Sequence, residues 1–168
     1  MNGKEKPNSG GEPLGEIEGL LPHRSPFLFV DEILEADKDR IVARHVFSEG
    51  EFFFRGHFPQ YPVVPGVILI ETMAQSGGAG LKKLGLLGGE EPAAGQAAGQ
   101  QVAGQTALFF LASVDKVKFR RQVRPGEEVR SEIQNLRVSS KMIKQAGKAY
   151  VGGEIAAEAE WLCLVGRA

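Results

Sequence analysis

The chain has 168 residues, a formal net charge of −1 at pH 7, 42% hydrophobic residues and 24% charged residues. This composition is typical of one globular domain, and a nearly neutral chain has no general electrostatic attraction to nucleic acid. Its longest apolar stretches, such as 63–70 and 107–112, are far shorter than the roughly 20 residues that cross a bilayer. We therefore expect a protein that binds neither nucleic acid nor a membrane.

Two segments lack the bulky side chains that a core requires. Residues 1–12 are rich in Gly, Pro, Asn and Lys and predict a flexible tail, and residues 88–105 repeat Gly, Ala, Gln and Glu and predict a long insert. Residues 13–168 are interpreted as one domain.

No apolar signal segment follows the first residues, and the single cysteine, Cys163, has apolar neighbours that predict a buried thiol. Both features favour a cytoplasmic protein.

In chain order, the predicted elements begin with a hairpin of two strands. Residues 27–36 and 40–47 are rich in Phe, Val and Ile, and the Asp-Lys-Asp between them predicts the turn. Residues 67–84 are apolar on every side of a helical pattern and include small residues, which predicts a central buried helix that a sheet can approach closely. Further strands are predicted at 106–119, 127–139, 142–152 and 153–165. Together they predict an α+β fold in which an antiparallel sheet wraps around one long helix.

The stretch from 52 to 66 holds the first residues that suggest chemistry. His57 lies in a run of aromatic and proline residues, and Pro65-Gly66 precedes the helix, whose first N–H groups have no partner within the helix. The positive end of a helix can polarise a thioester carbonyl laid against the Gly66 N–H, and it favours the neutral form of a nearby histidine. His57 could then remove a proton from carbon 2 of an acyl chain.

Glu71 lies about one turn inside the same helix, among Val, Ile, Leu and Met residues. A carboxyl group in an apolar site is expected to have a raised pKa, which would make Glu71 a proton donor. An acid, a base and an N–H between them are what the removal of water from a 3-hydroxyacyl thioester requires. Taken singly, His57 and Glu71 could each be structural residues with a backbone or arginine partner, but their closeness in one segment favours the catalytic interpretation.

The other histidines and the cysteine suggest less. His23 lies in a turn and His45 in an alternating strand, and both are interpreted as structural residues. No metal site is predicted, because the three histidines lack ligand spacing and the only cysteine has apolar neighbours. No glycine-rich nucleotide loop is present either, so we expect no cofactor.

Short motifs run from about residue 18 towards the C-terminus. They are Leu-Pro-His-Arg at 21–24, Gly-His-Phe-Pro at 56–59, Pro-Gly-Val at 65–67, Met-Ala-Gln-Ser-Gly-Gly at 73–78 and Asp-Lys-Val-Lys-Phe at 115–119. By these motifs, and by the spacing of His57 and Glu71, the chain resembles the bacterial 3-hydroxyacyl-acyl-carrier-protein dehydratases of the FabZ type, which have the hot-dog fold. The resemblance implies conversion of a (3R)-3-hydroxyacyl-acyl-carrier-protein to the trans-2-enoyl form in type II fatty acid biosynthesis.

The resemblance also implies an assembly. Two subunits would join their sheets edge to edge, with His57 of one subunit facing Glu71 of the other, and three such dimers commonly form a hexamer. A glutamate at position 71 resembles the branch of the family that only dehydrates, whereas the branch that also isomerises the double bond has aspartate there. The insert at 88–105 and the pair Gln60-Tyr61 depart from the family pattern.

A basic stretch suggests where an acidic acyl carrier protein would dock. Between residues 115 and 130, six basic residues stand against three acidic ones, although a solvated edge strand would show the same charges. We predict a carrier-binding surface formed by Lys118, Arg120, Arg121 and Arg124.

Two other functions remain open on the sequence alone. A thioesterase with the same fold would use a carboxylate to activate water, and the pairing of His57 with Glu71 argues against it. A non-catalytic protein that binds acyl chains or their carrier would tolerate the loss of His57. The product formed from a 3-hydroxyacyl thioester separates the first of these functions from dehydration.

Overall fold

The computed structural model describes residues 15–87 and 107–167. The elements are α1 (Gly15–Leu20), β1 (Glu32–Ala36), β2 (Arg40–Val46), a 3-10 helix (Phe52–Arg55), α2 (Gly66–Lys83), β3 (Ala107–Phe119), β4 (Glu128–Val138), β5 (Met142–Val151) and β6 (Glu154–Arg167). The predicted tail at 1–12 and the predicted insert at 88–105 lie outside the described residues. None of the helices in residues 15–87 and 107–167 is long and apolar enough to cross a membrane.

The strands form one antiparallel sheet in the order β1-β2-β4-β5-β6-β3. Apolar and polar residues alternate along β6, so that one face of the strand is buried. The buried residues are Ala157, Ala159, Trp161 and Cys163, and the glutamates between them are partly exposed. The buried face packs against α2. The predicted α+β arrangement, a sheet around one helix, is confirmed.

The small residues of α2 let the sheet lie directly against the helix. A Cβ atom at Gly80 would lie 2.5 Å from Ile41 Cγ2 in β2, and one at Gly77 would overlap the Gln145 amide in β5. Since real carbon atoms do not approach so closely, only glycine fits at either position. The predicted helix, 67–84, differs from the observed one by a single residue at each end.

The first strand is shorter than predicted, because it begins at Glu32 and not at residue 27. In the segment before β1, two backbone groups form hydrogen bonds with the side chain of Gln75 in α2. Gln75 Oε1 accepts from the Phe29 N–H at 2.8 Å, and its Nε2 donates to the Phe27 carbonyl at 3.1 Å. These backbone groups bond to a side chain and not to a neighbouring strand. The prediction of a strand over 27–31 is therefore wrong.

The outer edge of β3 carries a long row of exposed apolar side chains. β3 has 13 residues and pairs only with β6 among the strands that the structure describes. Its exposed apolar side chains are Phe110, Leu111, Val114, Val117 and Phe119. An unpaired edge strand of this length and composition readily pairs with another chain.

Candidate active site

His57 is held by the turn that follows the 3-10 helix. Its backbone N–H donates to the Phe53 carbonyl at 2.8 Å, its ring stacks on Phe58 with centroids 4.3 Å apart, and its Nδ1 lies 3.0 Å from the Val63 carbonyl oxygen. Because a carbonyl oxygen can only accept, Nδ1 carries the hydrogen in this contact. The lone pair is then on Nε2, so His57 is oriented as a base.

The helix α2 begins at Gly66 directly after Pro65, as predicted. The first N–H of the helix with a backbone partner is that of Ile68, which donates to the Pro65 carbonyl at 2.9 Å. A Cβ atom at Gly66 would lie 2.7 Å from the ring of Phe119 in β3. Glycine at this position lets the Phe119 ring lie against the start of the helix, and its role toward a substrate stays a prediction.

The carboxylate of Glu71 lies in a polar cluster, in contrast to the apolar site that the sequence suggested. Its Oε1 accepts a hydrogen bond from Gln75 Nε2 at 2.9 Å and lies 3.5 Å from His23 Nε2. Burial by itself would raise the pKa of Glu71, but the hydrogen bonds from His23 and Gln75 and the charge of His23 together hold that pKa below its ordinary value. The prediction of a raised pKa is therefore wrong for the single chain.

Gln75 joins the helix to the segment that carries His23. It lies one helical turn after Glu71, on the same face of α2, and is almost completely buried. Its amide bonds Glu71, the Phe27 carbonyl and the Phe29 N–H. The position of Glu71 is thus tied to the backbone that follows the His23 turn.

Sequence reasoning missed His23 and Gln75 as residues of this site. Both lie in motifs that carried the resemblance, Leu-Pro-His-Arg and Met-Ala-Gln. The helical spacing of Glu71 and Gln75 was a signal for the second residue. No local signal marked His23, because its contact with Glu71 depends on how the chain folds.

His57 and Glu71 contact different groups within the chain. No hydrogen bond or ion pair joins them in the described ranges: His57 contacts Val63, while Glu71 contacts His23 and Gln75. Within the described ranges, the two side chains therefore lie in different hydrogen-bond networks.

His45 and Cys163 contact different partners. His45 is buried, and its Nδ1 lies 2.9 Å from Asp31 Oδ1; burial opposes the charge of Asp31, but its bonds to His45 and to the Val46 N–H lower its pKa. Burial, together with the charge of Glu71, raises the pKa of the Cys163 thiol to about 11, which agrees with the predicted buried thiol. In the part of the chain that the structure covers, no three His, Cys, Asp or Glu side chains are arranged to hold a metal ion.

The predicted carrier-binding cations are mostly paired with acidic side chains. Arg120 lies 2.8 Å and Lys118 lies 3.6 Å from Glu158 in β6, and Arg121 contacts both Glu127 and Glu154. Arg124 differs: its guanidinium lies 4.1 Å from the centre of the Tyr61 ring. The carboxylates of β6 therefore offset much of the positive charge that the sequence of 115–130 suggests.

Comparison with known proteins gives consistent results. The model of the FabA-like domain family matches residues 21–160. The 3-hydroxyacyl-[acyl-carrier-protein] dehydratase FabZ of Desulforamulus reducens is 43% identical over 155 residues, which cover 92% of this chain and 97% of the relative. The protein of the same name from Moorella thermoacetica is 40% identical over 151 residues, which cover 89% of this chain and 94% of the relative.

Two solved structures show the same fold. The dehydratase heterocomplex ApeI:P from Xenorhabdus doucetiae matches with a TM-score of 0.66 and 16% identity over 89% of this chain and 90% of that chain. The E. coli PaaI protein from the phenylacetic acid degradation operon matches with a TM-score of 0.54 and 10% identity over 79% of this chain and 81% of that chain. At these identities the likeness concerns the fold alone, and it confirms the predicted fold.

Proposed function

The chain belongs to the FabZ family of 3-hydroxyacyl-acyl-carrier-protein dehydratases, and from this premise we propose that His57 and Glu71 carry out its reaction. The substrate is a (3R)-3-hydroxyacyl chain on acyl carrier protein, and the product is the trans-2-enoyl thioester of type II fatty acid biosynthesis. The observation that carries the role of His57 is its Nδ1 contact with the Val63 carbonyl, which leaves Nε2 free to accept a proton. A single cysteine that remains a buried thiol is compatible with a cytoplasmic enzyme.

The elimination uses three groups of the site. His57 Nε2 takes the proton from carbon 2, whose bonding electrons form the new double bond with carbon 3, while the bond from carbon 3 to the hydroxyl oxygen breaks. Glu71 gives a proton to the departing hydroxyl, which leaves as water. The N–H of Gly66 at the positive end of α2 polarises the thioester carbonyl and makes the proton on carbon 2 more acidic.

We infer that each site is shared between two subunits. His57 and Glu71 of one chain contact different partners, and the exposed apolar edge of β3 offers a surface through which two sheets can join. In this arrangement Glu71 faces His57 of the partner subunit. Three such dimers would form the hexamer that the resemblance suggests.

The product formed from a 3-hydroxyacyl thioester tests this function directly. We expect mass spectrometry to show the loss of one water from the acyl chain while the thioester stays intact. Release of the free 3-hydroxy acid would instead identify a thioesterase, and recovery of the unchanged substrate at high protein concentration would identify a binding protein. The hot-dog thioesterase remains the alternative enzyme, but the oriented Nε2 of His57 favours proton removal from carbon 2.

Of the four predicted carrier-binding cations, Arg124 is the one that we propose as the main contact. Lys118, Arg120 and Arg121 have carboxylate partners in β6 or at Glu127, so their charges are already partly offset. Arg124 lies over Tyr61, whose hydroxyl donates to Gln122 at 3.0 Å, and Tyr61 follows the His57 turn. An acidic carrier bound at Arg124 would therefore stand near the segment that holds His57.

Charge reversal at this position should separate carrier binding from chemistry. We expect Arg124→Glu to raise KM for carrier-bound substrate by about tenfold, because a rim charge contributes mainly to association, and to leave KM for a short synthetic thioester unchanged. Steady-state kinetics with both substrates measures the difference. Arg120→Glu is the matched control and should have a smaller effect, since Glu158 already offsets Arg120; equal effects of Arg124→Glu on both substrates would contradict carrier docking at this residue.

A further inference from the structure

The imidazole of His23 is the third titratable group at the proposed site. Its Nε2 lies 3.5 Å from Glu71 Oε1, and the two side chains are 24% and 22% exposed. Its Nδ1 is buried and has no hydrogen-bond partner among the residues that the structure covers. The Nε2 contact with Glu71 is longer than a mature hydrogen bond, as is common for acid and base pairs before substrate binds.

We propose that His23 is a positioning residue that stores the proton which Glu71 delivers to the leaving hydroxyl. The proposal deepens, and rests on, the proposed dehydration by His57 and Glu71. That reaction requires Glu71 to hold a proton when the hydroxyl leaves. A carboxyl group with a lowered pKa is ionised at neutral pH and cannot by itself protonate a departing hydroxyl.

The surroundings of the pair favour one shared proton. A proton on His23 Nε2 faces the carboxylate of Glu71 directly, and moving it across the contact turns an imidazolium and a carboxylate into a neutral imidazole and a carboxylic acid. Gln75 fixes the carboxylate by its 2.9 Å hydrogen bond and fixes the backbone at Phe27 and Phe29, which follows the His23 turn. Proton transfer thus needs little movement of either group.

The other charged and titratable groups near the pair leave this proton in place. Arg24, on the same turn, directs its guanidinium to the carbonyl oxygens of Leu21 and His23, at 2.8 and 2.7 Å. Cys163 in β6 is a protonated thiol at neutral pH, because its pKa is about 11. In the proposed shared site, His57 of the partner subunit would be a further titratable group near the pair.

Over one turnover, each group of the site returns to its starting protonation state. His57 gains the proton of carbon 2, and Glu71 gives one proton to the hydroxyl, which leaves as water. The proton that Glu71 gives comes from His23 across their contact, and water at the exposed part of the His23 side chain then returns a proton to His23. His57 gives its proton back to the solvent, so that no other reactant is consumed.

His23→Gln tests the proposal, because a glutamine can donate an N–H to Glu71 but cannot hold an additional proton. At pH 8 we expect kcat to fall about tenfold or more, with KM changed less than about twofold. The alkaline limb of the kcat profile should move about one pH unit or more to lower pH. The reason is that, without the His23 imidazole, the transferable proton has only the Glu71 carboxylate to hold it.

The pH dependence separates proton storage from a purely structural role. Towards about pH 5, Glu71 takes its proton from the solvent, so the deficit of His23→Gln relative to the unmodified enzyme should shrink. A deficit that is the same at every pH, or full activity with an unmoved alkaline limb, would overturn the proposal. His45→Gln, which removes the imidazole bonded to Asp31, is the matched control and should leave the alkaline limb unmoved.

Two further measurements keep the proposal testable if His23→Gln does not fold. In the unmodified enzyme, the ¹⁵N spectrum of labelled histidine should show that His23 loses its proton in the same pH range as the alkaline limb of kcat; a His23 ring that is neutral between about pH 5 and 9 would exclude storage. In His23→Ala, added imidazole should restore part of kcat, and the absence of any rescue would also count against storage. Failure of the unmodified enzyme to release water would refute the proposed function itself, which is a different result.

Discussion

Replacement of His57 by alanine is expected to lower kcat for a 3-hydroxyacyl thioester by at least about a hundredfold, the usual scale for the loss of an acid or base group. The His57 ring is held by Phe58 on one side and by the Val63 carbonyl at Nδ1, so Nε2 is the atom available to remove the proton from carbon 2. Substrate affinity should change little, because the missing interaction is made mainly in the transition state. Single-turnover rates and direct binding measurements give the two quantities separately.

His57→Asn is the informative companion variant. Its side-chain amide can donate to the Val63 carbonyl as Nδ1 does, and so can preserve the turn, but it has no basic nitrogen. Both variants should therefore lose the reaction. The melting temperature of His57→Asn should stay close to that of the unmodified enzyme. Normal turnover in either variant would show that His57 is not the base and would favour a non-catalytic binding protein.

The central helix could be predicted from the sequence because its determinants are local. Pro65 and Gly66 mark its start, and the apolar and small residues that follow are buried on almost every side. The start of β1 could not be predicted in the same way. The apolar pattern of 27–31 is that of a strand, but the Gln75 amide in α2 bonds the Phe27 carbonyl and the Phe29 N–H, and only the folded chain brings these groups together.

The distinction between local and distant contacts also explains which features of the candidate site could be predicted from the sequence. The candidate pair, His57 and Glu71, was found from one continuous segment and one helix. The pKa of Glu71 was predicted in the wrong direction because the prediction included burial but not His23, which lies far back along the chain. A residue's neighbours in sequence do not determine its electrostatic surroundings.

The charge of the proposed carrier surface also depends on residues that are distant in the sequence. Between residues 115 and 130 the sequence has an excess of basic residues. In the sheet, β3 pairs with β6, so Glu158 and Glu160 lie beside Lys118, Arg120 and Lys116. The pairing of the strands could not be deduced from charge patterns, and it leaves Arg124 as the cation of the predicted set that has no ion pair among the described residues.

The second large effect is expected when two inactive variants are combined. Glu71→Gln should lower kcat by at least about a hundredfold, as His57→Ala does, since its amide cannot pass a proton to the leaving hydroxyl. If each site takes His57 from one subunit and Glu71 from the other, a heterodimer of these variants has one complete site and one site that lacks both residues. We therefore expect a heterodimer, purified through two different affinity tags, to recover about half of the unmodified kcat per dimer.

This recovery depends on the geometry of the site more than on the chemistry of either residue. A heterodimer of His57→Ala with His57→Asn is the matched control: it has the same type of assembly but no base in either site, and it should stay inactive. If both catalytic residues acted within one chain, each subunit of the first heterodimer would lack one of them, and its activity would be no higher than that of the control. Such a result would refute a shared site, and with it the inference that the β3 edge joins two chains around the substrate, whereas recovery would place the partner's His57 within reach of the substrate that Glu71 contacts.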